Sequence, residues 1–436
     1  MATSFFLEVN MKLHKIKIKG IDVRYLQVQK YKHILVSFSF YNLNKKNDYN
    51  ERNLIPSLLE NNNRIYKTSD QLNVAMDMLY GADFFSGTYQ RGHLFSNQFH
   101  LKLVNPKYLH EEEDILARGF KLMHDVIFKP KMYGQLLTKK AVEDKIKEAK
   151  DAMHTIKQDK ATLAYFNFLK KVTGKGLPSF FPYEPTFQQM SQASFTRVYN
   201  EMINNDQLKI FVVGDFEISK LNQIIDGCFD KERSQIDIKN VPLNQNIEHD
   251  DMVHHARDFD EVSISRLYLG YHLHVERHSK KEMMMEVLNK IIGGDAQSKL
   301  FRNIREEAQM VYMIYSAYLS EIDLMMIHFE TEAKDEDEAI RRAKMIIEDV
   351  QSGYIADDEI NMAKKSLIKT YKSISDKLFG LVKLHMNEEI MTDKPFDLNT
   401  RIETIQSITK EDLVGLANEL TYQHEYRFVK EAISDE

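Results

Sequence analysis

Two stretches of this 436-residue chain can be laid on each other at a separation of 215 residues. Met190-Ser191-Gln192-Ala193-Ser194, leading to Val198, matches Ile405-Gln406-Ser407-Ile408-Thr409, leading to Leu413. Pro182 and Pro395 stand a similar distance ahead of each stretch. A repeat this long is a duplicated domain, because solenoid repeats recur every ~20–50 residues. The length agrees, since roughly 200 residues per half suits one hydrophobic core each. Two similar domains are therefore expected, 1–235 and 261–436, joined by a polar, weakly periodic linker at 236–260 that contains Pro242.

Within each half the pattern is α+β. Alternating or continuous apolar runs predict strands at 15–19, 34–40, 84–89, 93–103 and 208–215, and again at 262–271, 311–318 and 324–331. Helical periodicity predicts helices at 54–63, 71–80, 116–127, 134–153, 161–172, 194–203 and 221–229 in the first half. In the second half it predicts them at 282–292, 336–351, 357–375 and 407–420. Pro56 is expected in the first turn of its helix, and Thr68 at a cap. The acidic run Glu111-Glu112-Glu113-Asp114 reads as a solvated helix start.

Composition narrows the function classes. A net charge of −6 leaves no basic footprint for nucleic acid. The single cysteine, Cys228, excludes an intrachain disulfide framework and any Cys-rich metal site, and suits a reducing compartment. No apolar run approaches the ~20 residues that span a bilayer. Residues 4–7 are too short for a signal-peptide core and lack a positive flank. A soluble, cytoplasmic protein is expected.

The most specific stretch is Ile291-Ile292-Gly293-Gly294-Asp295-Ala296-Gln297-Ser298-Lys299-Leu300-Phe301-Arg302-Asn303-Ile304-Arg305-Glu306-Glu307, with Tyr312 seven residues after Arg305. The Gly pair is expected to end one helix in a left-handed conformation. Ser298 is expected to cap a second helix that buries Leu300, Phe301 and Ile304 and turns Arg305 outward. No Lys-Ser/Thr follows at the spacing of a phosphate-binding loop, so the Gly pair is not read as one.

This order of Gly-Gly, Ser-x-Leu-Phe, Arg-Glu and Tyr resembles the C-terminal-half signature of the pitrilysin/insulinase family of zinc metallopeptidases, in its mitochondrial-processing-peptidase-like form. The resemblance runs from about Ile21 to Phe428. It implies two similar α+β halves, each a largely antiparallel sheet with helices packed on it, in a clam-like arrangement. It also implies that Arg305 and Tyr312 bind substrate opposite a metal.

Active members of that family carry His-x-x-Glu-His on a helix, two imidazoles four residues apart that bind zinc and a Glu that activates water. By segment order this motif falls on Ser57-Leu58-Leu59-Glu60-Asn61. Only Glu60 remains, as the remnant of the base, with Ser57 and Asn61 in place of the ligands. The family's third ligand, a downstream Glu, falls near Lys145, with Glu143 and Glu148 close by. Residues 34–92 contain no histidine, so no shift of register restores the pair. Hydroxyl and amide groups are poor zinc ligands, and an ammonium repels the cation. No cofactor is expected in this chain.

His272-Leu273-His274 puts two imidazoles near each other in a strand, but no third ligand accompanies them. His254-His255 falls in the expected linker and reads as solvated.

Small members of the family work as dimers, and in some bacterial pairs one chain supplies zinc and the other the Arg and Tyr. The resemblance therefore implies a zinc-less subunit of a heterodimeric peptidase, supplying chamber wall, Arg305 and Tyr312 to a zinc-bearing paralogue. Alone, such a chain can form a homodimer. The subgroup it resembles most is the bacterial insulinase-like proteins associated with elongation factor P modification. The alternative is a structural or peptide-binding scaffold on the same fold, like the respiratory-complex core subunits of the family.

Overall fold

The computed structural model describes residues 13–43, 46–91, 93–109, 114–174, 182–236, 238, 252–276, 278–392 and 396–430. Residues 4–7, the acidic residues 111–113 and most of the expected 236–260 linker lie outside them. In chain order, β1 (His14–Ile18), β2 (Ile21–Gln27) and β3 (His33–Leu43) lead to α1 (Tyr49–Asn61) and α2 (Ser69–Asp77). The strands β4 (Asp83–Arg91) and β5 (Leu94–Val104), α3 (Ile115–Phe128) and a ribbon of β6 (Met132–Tyr133) and β7 (Leu136–Leu137) follow. Next come α4 (Lys139–Gln158), α5 (Lys160–Thr173), α6 (Glu184–Phe187), α7 (Gln192–Asn204), β8 (Gln207–Gly214) and α8 (Ile218–Cys228). The second half runs β9 (His254–Asp260), β10 (Ser265–His272), α9 (Lys280–Ile292), β11 (Val311–Leu319) and β12 (Leu324–Thr331). It ends with α10 (Glu336–Gln351), α11 (Asp357–Ser375), α12 (Leu378–Thr392), α13 (Leu398–Ser407), α14 (Lys410–Ala417) and β13 (Thr421–Lys430).

The strand orders establish the duplication. The first sheet is β1-β2-β8-β3-β5-β4 and the second is β11-β12-β10-β13-β9. Read from β4 and from β11, the two orders correspond strand for strand, with β1 an addition to the first. Each sheet is antiparallel except at one equivalent pair, β2 with β8 and β9 with β13. The α+β class with largely antiparallel sheets is as expected.

The compact units are not the contiguous halves expected from the linker. One comprises Met1–Met153, Pro178–Val241 and Lys377–Ile390, and the other His154–Leu177, Pro242–Asp376 and Met391–Glu436. The cause is two apolar helices. Phe168 of α5 is fully buried and stacks on Tyr268 of β10 at 4.9 Å, so α5 belongs to the second sheet. Burying a side chain of that size contributes roughly 1.5–3 kcal/mol. Phe379 of α12 meets Phe85 of β4 and His100 of β5 at 5.1 and 4.9 Å, so α12 belongs to the first. Residues 254–260 are not linker but the edge strand β9, whose Asp258 and Asp260 accept hydrogen bonds from Asn167 and Lys160 of α5.

The helix that carries positions 57–61 begins five residues earlier than expected, so Pro56 lies inside it. A proline there cannot donate to the carbonyl of residue 52, which would leave a buried acceptor unmet. Asn97 of β5 supplies the missing donor, its Nδ2 lying 2.6 Å from the Arg52 carbonyl oxygen. The helix survives its proline because a strand side chain replaces the lost bond. Ile55, Leu58 and Leu59 then pack into the first core with Val36, Phe38 and Phe40.

The second core contains a buried histidine with a clear titration signature. His328 of β12 lies against Tyr268 with ring centroids 4.3 Å apart, and its Nδ1–H donates to the Leu267 carbonyl. Burial holds its pKa down at about 4. A folded value below the unfolded one means that protons are taken up on unfolding. Stability is therefore lost as pH falls from about 6.5 toward about 4, by ~1.4 kcal/mol per pH unit for this residue. Urea midpoints at pH 7 and pH 5 should separate, and His328→Phe should narrow that gap. An unchanged gap would show that other groups carry the acid sensitivity.

Candidate functional site

The Gly pair works by close approach and not by left-handed backbone, which corrects the expectation. Gly293 has φ −158°, and a Cβ on it would lie 2.7 Å from the Ser316 amide nitrogen and from Leu300 Cδ1. Its carbonyl accepts from the Ser316 N–H at 3.1 Å, tying the end of α9 to β11. Beyond Ser298 the chain forms a π-helical turn, Phe301–Glu307, and not an α-helix. Leu300 and Ile304 are fully buried as expected, Phe301 only half-buried. Arg305 is exposed, with its guanidinium over the Phe301 ring at 4.9 Å. Tyr312 sits where the register of β11 against β12 shifts, and it is 53% exposed. Bulges of this kind re-aim a side chain outward. Its hydroxyl donates to Glu332 Oε1 at 2.9 Å. Arg305 and Tyr312 are thus both exposed in the second unit, with different partners, one aromatic and one acidic.

In the first unit, α1 presents Ser57, Glu60 and Asn61, and α4 presents Lys145. Ser57 Oγ donates to the Leu54 carbonyl at 3.1 Å, and Asn61 Nδ2 to the Ser57 carbonyl at 3.3 Å. Asn61 Oδ1 accepts from Ser69 Oγ at 2.7 Å. Both side chains at the ligand positions are therefore engaged locally. Glu60 accepts from Ser86 Oγ on β4 at 2.5 Å. Burial raises its pKa, while the Ser86 bond and the positive charge of Lys145 oppose the rise. Lys145 is buried and pairs with Glu148 at 2.8 Å, whereas Glu143 is exposed and pairs with Lys139. Ser86 is the participant that sequence reading missed. It lies 26 residues from Glu60, and no local pattern marks such a contact.

The His272 and His274 pair does not form. The strand ends at His272, which turns inward to His424 with Nε2 atoms 3.1 Å apart, while His274 reaches outward to Asp323 at 3.0 Å. Among the described residues, no three His, Cys, Asp or Glu side chains group as a metal site. Among the same residues, no helix is long and apolar enough to cross a membrane.

The family model described as the peptidase M16 inactive domain matches residues 189–367. A Bacillus subtilis (strain 168) protein described as probable inactive metalloprotease YmfF is 21% identical over 94% of this chain and 96% of its own. Over residues 189–367 the chain is thus similar to the inactive domain of the M16 peptidases, and over nearly its whole length to a probable inactive metalloprotease. A conserved protein from Enterococcus faecalis V583 has the same fold, at a TM-score of 0.86 and 22% identity over 97% of this chain and 100% of that one. An M16 inactive domain from Pseudomonas fluorescens follows at 0.76 and 15%, over 97% and 99%.

The zinc of active M16 peptidases does not fit the residues of this chain. Ser57 and Asn61 offer neutral oxygens or an amide where imidazoles are needed, and Lys145 brings a buried positive charge to the carboxylate position. Ser57→His with Asn61→His should bind zinc weakly at best, because the third ligand is missing and Lys145 repels the ion. Adding Lys145→Glu should tighten binding at least about tenfold. Isothermal titration of the double and triple variants measures this. Tight binding by the double variant would mean that Glu148 can swing into the ligand position.

Proposed function

We propose that this chain is the non-catalytic subunit of a heterodimeric cytoplasmic peptidase. A zinc-bearing M16 paralogue supplies the metal, and this chain supplies part of the chamber wall together with Arg305 and Tyr312. The observation that carries the reading is a contrast between the units. Glu60 is held by a Ser86 bond under the field of Lys145, while Tyr312 and Arg305 stay exposed beside an edge strand. An edge strand offers unpaired backbone groups that can hold an extended peptide. A guanidinium can bind a substrate carbonyl or carboxylate, and a phenol can donate to the oxyanion of a tetrahedral intermediate.

The test is co-purification of this chain with an M16 paralogue that carries His-x-x-Glu-His, followed by peptide turnover of the pair and of each chain alone. The proposal expects a mixed dimer whose turnover exceeds that of either chain. A mixed dimer without gain in turnover would favour a peptide-binding scaffold, and absence of a mixed dimer would remove the heterodimer reading.

A further inference from the structure

A cavity of about 470 Å³ opens in the first unit between the end of β3, the first turns of α1, the end of α7 and Ile236. Its size lies in the range of small-ligand sites, roughly 300–1,000 Å³. Asn42 lines it and is 4% exposed. The Asn42 amide donates from Nδ2 to Asp206 Oδ2 at 3.2 Å, which leaves Oδ1 buried with no donor. Behind the wall, Asp48 Oδ1 and Glu51 Oε2 are likewise buried acceptors with no donor. The unmet atoms here share one polarity, and all of them call for hydrogen-bond donors.

The charges point the same way. Arg52 reaches Asp48 at 3.3 Å, Asp206 at 2.7 Å and Glu201 at 3.5 Å. Arg197 pairs with Glu201 at 2.9 Å, and Arg233 adds its charge beside Asp206. Four carboxylates, counting Glu51, thus meet three guanidinium groups. Burial raises the pKa of Glu51 and of Asp206, and the neighbouring guanidinium charges oppose the rise. At the mouth, Leu43 and Ile236 are 50% and 44% exposed, an apolar rim around a polar floor.

We infer that this cavity binds an alkyl ammonium ion, its head on Asn42 Oδ1 and the Glu201 carboxylate and its stem against Leu43 and Ile236. An anion would add to the excess charge, and a neutral apolar ligand would leave the acceptors unmet. Two sources share this chemistry, a free diamine and the lysine side chain of a peptide.

Isothermal titration with cadaverine, and separately with a short blocked lysine peptide, distinguishes the sources, with pentanol and pentanoate as controls. At least one of the amines should bind saturably, one per chain, with Kd on the order of 1 mM. Glu201→Gln should weaken that binding about tenfold by removing a charge-assisted bond. Ile236→Ser, at an exposed position, should weaken it about threefold through lost apolar contact. Unfolding midpoints of both variants close to that of the unaltered protein would show that the fold is kept. Binding of cadaverine alone would assign a free amine, and binding of the peptide a lysine side chain. Equal binding of pentanol would reduce the cavity to an apolar groove and overturn the inference. So would the absence of saturable heat with both amines, which would leave water to satisfy the acceptors. Unchanged binding in both variants would place the amine elsewhere and overturn it too.

Discussion

Tyr312→Phe and Arg305→Ala are each expected to slow peptide cleavage by the reconstituted heterodimer by about 10²–10³-fold, the usual cost of removing one donor to a developing oxyanion. Neither change should disturb assembly. Tyr312 is 53% exposed and its hydroxyl donates to Glu332, so the phenylalanine variant loses a surface bond and keeps its ring. Arg305 rests on the Phe301 face, an exposed cation–π contact of roughly 0.5–1 kcal/mol. The two variants should differ in kinetics. A phenol that donates only to the intermediate lowers kcat, whereas a guanidinium that also holds the bound peptide raises KM as well. Dimer mass and turnover measured side by side check both points. Full activity in both variants would leave the chain as a scaffold.

Much of the fold could be read where a strand or helix has one buried face. The strand 324–331 and the helices 336–351 and 357–375 coincide with β12, α10 and α11. Two of the elements that were missed share a different physics. β9 reads His-His-Ala-Arg-Asp-Phe-Asp, an edge strand whose polar residues face water or meet α5, so alternation of apolar residues is absent. β13 carries Gln423, His424 and Glu425, all buried but polar, with His424 meeting His272 and Glu425 accepting from Lys344, both distant in sequence. The exchange of α5 and α12 between the halves is invisible to periodicity, which finds an apolar face and says nothing of which sheet it covers.

The candidate site divides in the same way. The absence of histidine from 34–92 was legible without a structure. What surrounds Glu60 was not. Ser86 of β4 bonds Glu60 and Lys145 of α4 adds its charge, and only the fold brings them together. The role of Gly293 was misread for a related reason. A glycine marks either a positive φ or a close approach, and the choice depends on Ser316, which the sequence places 23 residues away.

Arg52→Met should be among the most destabilising single changes in the first unit, by about 3–5 kcal/mol, because it strands buried carboxylates whose charge nothing else fully meets. Arg52 is 2% exposed, and it bonds Asp206 at 2.7 Å and Asp48 at 3.3 Å. Methionine fills much of the same volume, so the loss is electrostatic and not a cavity. The pH dependence separates the two causes. Burial already raises the pKa of Asp206, and the charge of Arg52 opposes that rise. Without Arg52 the folded value climbs further above the unfolded one. A group raised in this way contributes its stability below the unfolded pKa and loses it as pH rises through the folded pKa. The deficit of Arg52→Met should therefore be largest at neutral pH and shrink as the buffer is made acidic toward the ordinary aspartate range. Urea midpoints of variant and unaltered protein at pH 7 and pH 5 measure this. A deficit below about 1 kcal/mol, or one independent of pH, would mean that water reaches these carboxylates and that Arg52 is packing material more than a counter-charge.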